Sequence, residues 1–150
     1  MNPRGAVGNA LFLLFLLIAA LRDLKDRRVE RWILLAGIAA GLVFPVDPGL
    51  SLSLRERIPA VFPGMFFLLL RRAGAAVGEA DGLALIACGL FLGISREAGL
   101  LLAASFLCAG VAGVIFLRGI FRGENLGKRK IPFLPFLLAA WTAALILEAA

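Results

Sequence analysis

Residues 98–117, AGLLLAASFLCAGVAGVIFL, run for twenty positions without a charged side chain. A stretch of that length matches the ~20 apolar residues that carry an α-helix across a ~30 Å hydrocarbon layer. Five further apolar runs accompany it, at about Ala6 to Leu21, Trp32 to Val46, Pro59 to Leu70, Gly82 to Ser95 and Ile131 to Leu147. Hydrophobic residues fill 61% of the 150 positions, against roughly 45–50% in soluble domains, and the charges gather between the runs. The pattern predicts an all-α membrane protein, one domain over residues 1–150 with about six transmembrane helices. Several runs are shorter than a full span and must borrow flanking residues, as Arg and Lys allow by snorkelling. The third contains Pro59 and Pro63, which suit the first turns of a helix better than its middle.

The basic residues test this count separately. Arg22, Lys25, Arg27, Arg28 and Arg31 follow the first run, Arg71 and Arg72 the third, and Arg118, Arg122, Lys128, Arg129 and Lys130 the fifth. If all six runs span, these twelve of the sixteen basic residues share one side, and Arg4, Arg55, Arg57 and Arg96 take the other. The positive-inside rule then puts the basic linkers in the cytoplasm and both termini outside a multi-pass protein of the inner (plasma) membrane. The first run, with Arg4 ahead of LFLLFLLIAA and small residues near Ala20, also has the shape of a signal peptide. The basic cluster directly after it fits a retained helix better. The net charge of +6 flanks apolar segments, which points to anionic lipid headgroups and not to nucleic acid.

Cys88 and Cys108 lie inside apolar runs without metal-like spacing and read as small hydrophobes. The chain has no histidine, which excludes Ser-His-Asp and Cys-His nucleophiles and imidazole metal sites. The acids therefore form the functional inventory. Asp47, Glu56 and Glu97 fall in outside loops on this topology, Glu148 at the outer C-terminus, and Glu30 and Glu124 in basic linkers where solvated ion pairing is the default. Asp23 and Asp26 at the end of the first helix, and Glu79 and Asp81 at the start of the fourth, remain at one cytoplasmic level. Two carboxylates sharing a water can act as base and acid, because mutual repulsion and partial desolvation split their ionisations. Each has a plainer reading as well: Asp23 as a helix-end acid neutralised by Arg22, Lys25 and Arg27, Asp81 as a first-turn acid favoured by the helix dipole.

Three stretches, in order, carry a resemblance. RDLKDRRVERW resembles the D-L-[KR]-x-R-R-[IV]-P-N-W segment of type IV prepilin peptidases, GEADGLALIACGLFLG their G-x-G-D-x-K-L-L-A-x-x-G segment, and KIPFLPFLLAA the K-x-P-F-x-P-F-L stretch that opens their last helix. The resemblance implies a membrane aspartic endopeptidase of the short form, without the N-methyltransferase insertion, cleaving leader peptides of prepilin-like proteins for type IV pilus assembly or protein secretion. It assigns the catalytic pair to Asp23 and Asp81, with Asp26 the alternative N-terminal acid, and implies neither cofactor nor metal. Gly78, Glu79 and Gly82 beside Asp81 are the expected substrate-binding positions. Glu30 and Arg31 stand where the family pattern has Pro-Asn, Ala80 replaces its second glycine, and Leu83 its lysine. A non-catalytic membrane component, such as a transporter subunit, an assembly scaffold or an inactive homologue, would explain the hydropathy equally well but not the three ordered matches.

Overall fold

A computed structural model describes residues 3–26, 28–46, 54–75, 77–122 and 131–149. Within them the chain is all helical: α1 (Pro3–Asp26), α2 (Arg31–Val43), α3 (Leu54–Arg72), α4 (Glu79–Arg122) and α5 (Leu134–Ala149). The fourth and fifth apolar runs, read above as two helices joined at Arg96 and Glu97, form one 44-residue helix broken at Gly93. Unbroken, it would be roughly 66 Å long. Gly93 adopts φ 75°, a region that L side chains rarely enter, and there the chain turns back on itself. Its arms, residues 79–92 and 94–122, restore the sixth rod that the sequence predicts, with the break placed at the glycine and not at the charges.

Neighbouring contacts fix the direction of every rod. Phe15 of α1 fills the face of Gly37 on α2, and Gly8 abuts the Phe44 and Pro45 carbonyls just beyond α2, so these two helices run oppositely. Arg31 reaches Glu79 while Gly41 packs on Leu90 and Phe91, which makes α2 parallel to the first arm of α4. Gly89 meets Ala60, Gly64 meets Gly82 and Ile86, and Arg71 meets Glu79, so α3 descends beside that arm. The second arm returns, since Glu97 lies against Gly89 and Cys108 is within electrostatic reach of Asp81. Finally α5 rises from Asp23 to Trp141, which packs edge-on against Phe12. Six rods thus alternate in direction, and α1 begins and α5 ends at the end of the bundle opposite Asp23 and Asp81.

The core is aromatic at its centre. Phe91 sits between Phe12 and Phe15, at ring centroid distances of 5.0 and 6.4 Å, with Leu16, Leu34, Leu85, Leu134 and Leu137 closing around them. α1 supplies Phe12, Leu16, Ala19 and Ala20 to this core, so it is an integral element of the fold. Three glycines seat neighbouring helices closely: Gly41 packs α2 on the first arm of α4, Gly37 receives α1 and Gly89 receives α3.

The outer surface is the reverse of a soluble protein's. Leu14, Leu17 and Leu21 on α1, Ile58, Phe62 and Leu69 on α3, and Phe106, Phe116 and Leu117 on α4 all point outward. Such extensive apolar exposure suits lipid and not water. Two helices, Gly5–Asp26 and Glu79–Gly119, are long and apolar enough to cross a membrane, the second with its bend. Arg31–Val43 and Leu134–Glu148 are apolar but shorter.

Candidate active site

The end of the bundle bearing Asp23 and Asp81 is built from helix termini. α1 stops at Asp26, where a lysine in its last turn complements the helix dipole and a run of like charges follows. Val29 then turns into the core and Glu30, in extended conformation, precedes α2. On the other strand of the site, α3 closes at Gly74 with φ 93°. The Gly74 and Ala75 amides donate back to the Arg71 and Leu70 carbonyls, a glycine stop that satisfies the last turn. The short linker leads to Gly78, and α4 starts with Glu79 and Asp81 in its first turn, where acids are favoured.

Asp81 accepts a hydrogen bond from the Gly78 backbone N–H, a capping contact that spares one of the orphan amides of a helix start. A Cβ on Gly78 would stand 2.5 Å from Asp81 Oδ2, so glycine there gives the carboxylate its room. Both the plain and the catalytic readings of Asp81 are compatible with its local geometry. Asp81 is half-buried and its charge interacts with that of Asp23, 58 positions earlier in the chain. An acid serving only as a cap gains nothing from a like charge beside it.

Asp23 is itself held from a third direction. Its Oδ2 accepts the Leu134 N–H at 3.3 Å. Leu134 opens α5, and Pro135 after it has no N–H, so the Leu134 amide is one of the few donors that this helix start offers. The carboxylate of α1 therefore caps α5. This gives the third motif, KIPFLPFLLAA, a physical place in the site that its sequence alone does not declare. Asp26 differs: it is exposed and pairs with Arg22 at 3.8 Å, which also lies 3.5 Å from Glu30. Of the two N-terminal acids, Asp23 is the one that shares a site with Asp81.

The three expected substrate-binding residues part company. Gly78 is exposed beside the carboxylate. Gly82 is buried, with Leu68 and the Gly64 carbonyl filling its free face, so its smallness serves the packing of α3 and offers no open surface to a substrate. Glu79 is engaged by two arginines, with Arg31 Nε at 3.2 Å and Arg71 Nη2 at 3.3 Å. It ties the ends of α2, α3 and α4 together across the mouth of the site. Arg31 thus has a role where the family pattern carries asparagine. Because these pairs are largely exposed, each contributes at most about 1 kcal/mol. Glu79→Gln should accordingly lower stability by only about 0.5–1 kcal/mol, read from a thermal melt in detergent, and Arg31→Ala by less.

Glu97 is the acid that sequence reasoning misplaced. Expected in an outside loop, it is fully buried, because the helix continues through Ser95 and Arg96 and turns residue 97 inward. Asp47 and Glu124 lie outside the described residues, as do Arg27, Lys128, Arg129 and Lys130. Cys88 is buried and Cys108 partly so, and both are free thiols.

Comparison with known proteins bears on this arrangement. No curated protein and no solved structure matched the chain. A family model did, described as the type IV leader peptidase family, over residues 10–114. That span includes both aspartates and more than two thirds of the chain, and on it the chain belongs to the type IV leader peptidase family.

Proposed function

We propose that this protein is a membrane-embedded aspartic endopeptidase that removes the leader peptide of prepilin-like proteins at the cytoplasmic face of the plasma membrane. One observation carries the reading: two acids from distant segments, Asp23 and Asp81, come within electrostatic reach at one end of the bundle. In the proposed mechanism they hold a water between α1 and α4. One carboxylate, ionised, takes a proton from the water as it attacks the scissile carbonyl. The other, protonated, donates to the carbonyl oxygen, and the proton taken from water passes to the leaving amine. The Leu134 and Gly78 amides orient the two carboxylates, and the exposed face at Gly78 gives the substrate backbone its approach.

In this reading all six rods cross the membrane and both termini lie outside. Arg22, Lys25, Arg28 and Arg72, all exposed, meet anionic headgroups at roughly 1 kcal/mol each near the surface. The substrate's apolar segment stays in lipid while its cleavage point reaches the rim of the bundle. The test uses the purified protein in vesicles containing anionic lipid, with a prepilin-like substrate carrying its leader and apolar segment. Mass spectrometry should show one new N-terminus after wild-type treatment. Asp26→Asn should cleave within about twofold of wild type, since Asp26 faces Arg22 and solvent. Absence of cleavage over a panel of such substrates, or loss of cleavage confined to Asp26→Asn, would overturn the proposal.

A further inference from the structure

The charges that flank a membrane-crossing helix set the thickness of hydrocarbon it tolerates. On α3 that distance is short. Ile58, Phe62, Met65, Phe66 and Leu69 face outward over roughly 17 Å of helix axis. The exposed Arg55 and Arg71 close this band at its two ends, roughly 24 Å apart. Arginine can reach past its own level by snorkelling, but Arg71 Nη2 is held 3.3 Å from Glu79 and marks the rim where it stands. α2 and α5 are apolar and short as well. A hydrocarbon layer of ~30 Å exceeds all three.

The second arm of α4 differs. Its exposed arginines, Arg96 and Arg118, stand roughly 33 Å apart, and Leu102, Phe106, Val114 and Leu117 face outward between them. The two helices share a starting level, because the bare face of Gly89 meets both Ala60 of α3 and Glu97 of this arm. They do not share an end. From that level the Arg71 rim lies roughly 16 Å along α3, and Arg118 roughly 31 Å along the arm. A long helix can shed excess length by tilting. This one stays beside the first arm at both levels that contacts fix, at Gly89 through Glu97 and at Asp81 through Cys108. Past the site it continues alone, since a Cβ at Gly110 or Gly113 meets nothing within 4 Å.

We propose that the protein seats in a bilayer whose cytoplasmic leaflet is thinned beside α3, to roughly 20–25 Å of hydrocarbon in all, while the second arm of α4 keeps nearly full thickness. The α3 face is covered by phospholipid, with headgroups at Arg71 and Arg72 on one side and at Arg55 on the other. The depression falls at the end of the bundle that holds Asp23 and Asp81, so headgroups and water come up to the two carboxylates. This rests on the six-span reading of the bundle. For the proposed peptidase it means that a substrate presents its cleavage point at a level that elsewhere lies within hydrocarbon.

The test places single nitroxide labels on the full-length protein, in a background carrying Cys88→Ala and Cys108→Ala, in vesicles of dioleoylphosphatidylcholine. Depth is read from the ratio of oxygen to nickel-chelate accessibility. Ile58→Cys, Met65→Cys and Leu69→Cys carry labels along α3. Val114→Cys carries one on the second arm, roughly 12 Å further from the shared level than residue 69. The label at residue 65 should be the deepest on α3, that at residue 69 should lie among headgroups, and that at residue 114 in hydrocarbon. In a flat bilayer the last two results exclude each other. A label deep in hydrocarbon at residue 69, or one in water at residue 114, would overturn the proposal. A label at residue 65 no deeper than its neighbours would remove the six-span reading and the proposal together. Cleavage is not read, so failure of the peptidase assignment leaves these results untouched. Unlabelled wild-type protein supplies a second measurement: its melting temperature should fall by roughly 5 °C or more from dimyristoleoyl- to dierucoylphosphatidylcholine, as the required thinning grows. An unchanged or higher melt in the thicker bilayer would overturn the proposal as well.

Discussion

On the proposed function, Asp81→Asn should leave a folded protein whose leader cleavage falls by at least about 10³-fold, and Asp23→Asn should do the same. Asparagine keeps the shape of each side chain and an oxygen that still accepts a hydrogen bond. At residue 81 it can retain the Gly78 amide and at residue 23 the Leu134 amide, so the helix ends stay capped. What it removes is the ability to exchange a proton with water or with the leaving amine. On the proposed reading the two carboxylates act as one unit, and a double Asn variant should therefore be no worse than either single one, since the second loss has nothing left to remove. Cleavage measured alongside thermal melting separates the two effects. Near wild-type cleavage in either single variant, with an unchanged melt, would refute the assignment of that aspartate.

The second large effect concerns packing. Gly89→Val should leave little folded protein, destabilising it by about 3 kcal/mol or more. The obstruction at Gly89 is the Ala60 backbone carbonyl, and a side chain there would also press on Glu97 Oε2 at 2.8 Å. A backbone atom within a helix cannot rotate aside as a side chain does, so α3 as a whole would have to move. About one turn along α3 the relationship is reversed. Gly64 of α3 faces the Gly82 carbonyl and the Ile86 amide nitrogen, each 2.6 Å from where its Cβ would lie. The two helices interlock backbone to backbone at both places, the close approach that small residues allow between membrane helices. Gly110→Ala and Gly113→Ala serve as controls, because a Cβ at either meets nothing within 4 Å. They should melt as wild type or slightly higher.

Much of this architecture is legible in the chain. The apolar runs predict six rods, and the distribution of basic residues predicts one membrane level for Asp23 and Asp81, whose charges interact in the folded chain. The boundary between the fourth and fifth rods was misread for a definite reason. Arg96 and Glu97 carry the polarity of a loop, but polarity does not bend a backbone. Gly93, three residues before Arg96, does so by adopting φ 75°, and its neighbours were free to stay helical. Glu97 consequently faces inward. Gly82, which its position next to Asp81 suggested for substrate contact, has Leu68 and the Gly64 carbonyl of α3 against its free face. Proline within α3 did not prevent that helix from forming, with Pro59 and Pro63 both inside it. The capping of α5 by Asp23 joins residues 111 positions apart, and no local pattern could have declared it.

That last bond has a consequence for the order of biogenesis. A chain emerging from the ribosome completes α1 and then α4, and so possesses both aspartates before its final helix exists. Only when α5 arrives does Asp23 receive the Leu134 amide. A truncated or stalled chain would carry the full pair of acids with one of them unoriented. On the proposed reading, hydrolytic competence is the last property the protein acquires, and an incompletely synthesised copy poses little threat to its neighbours in the membrane.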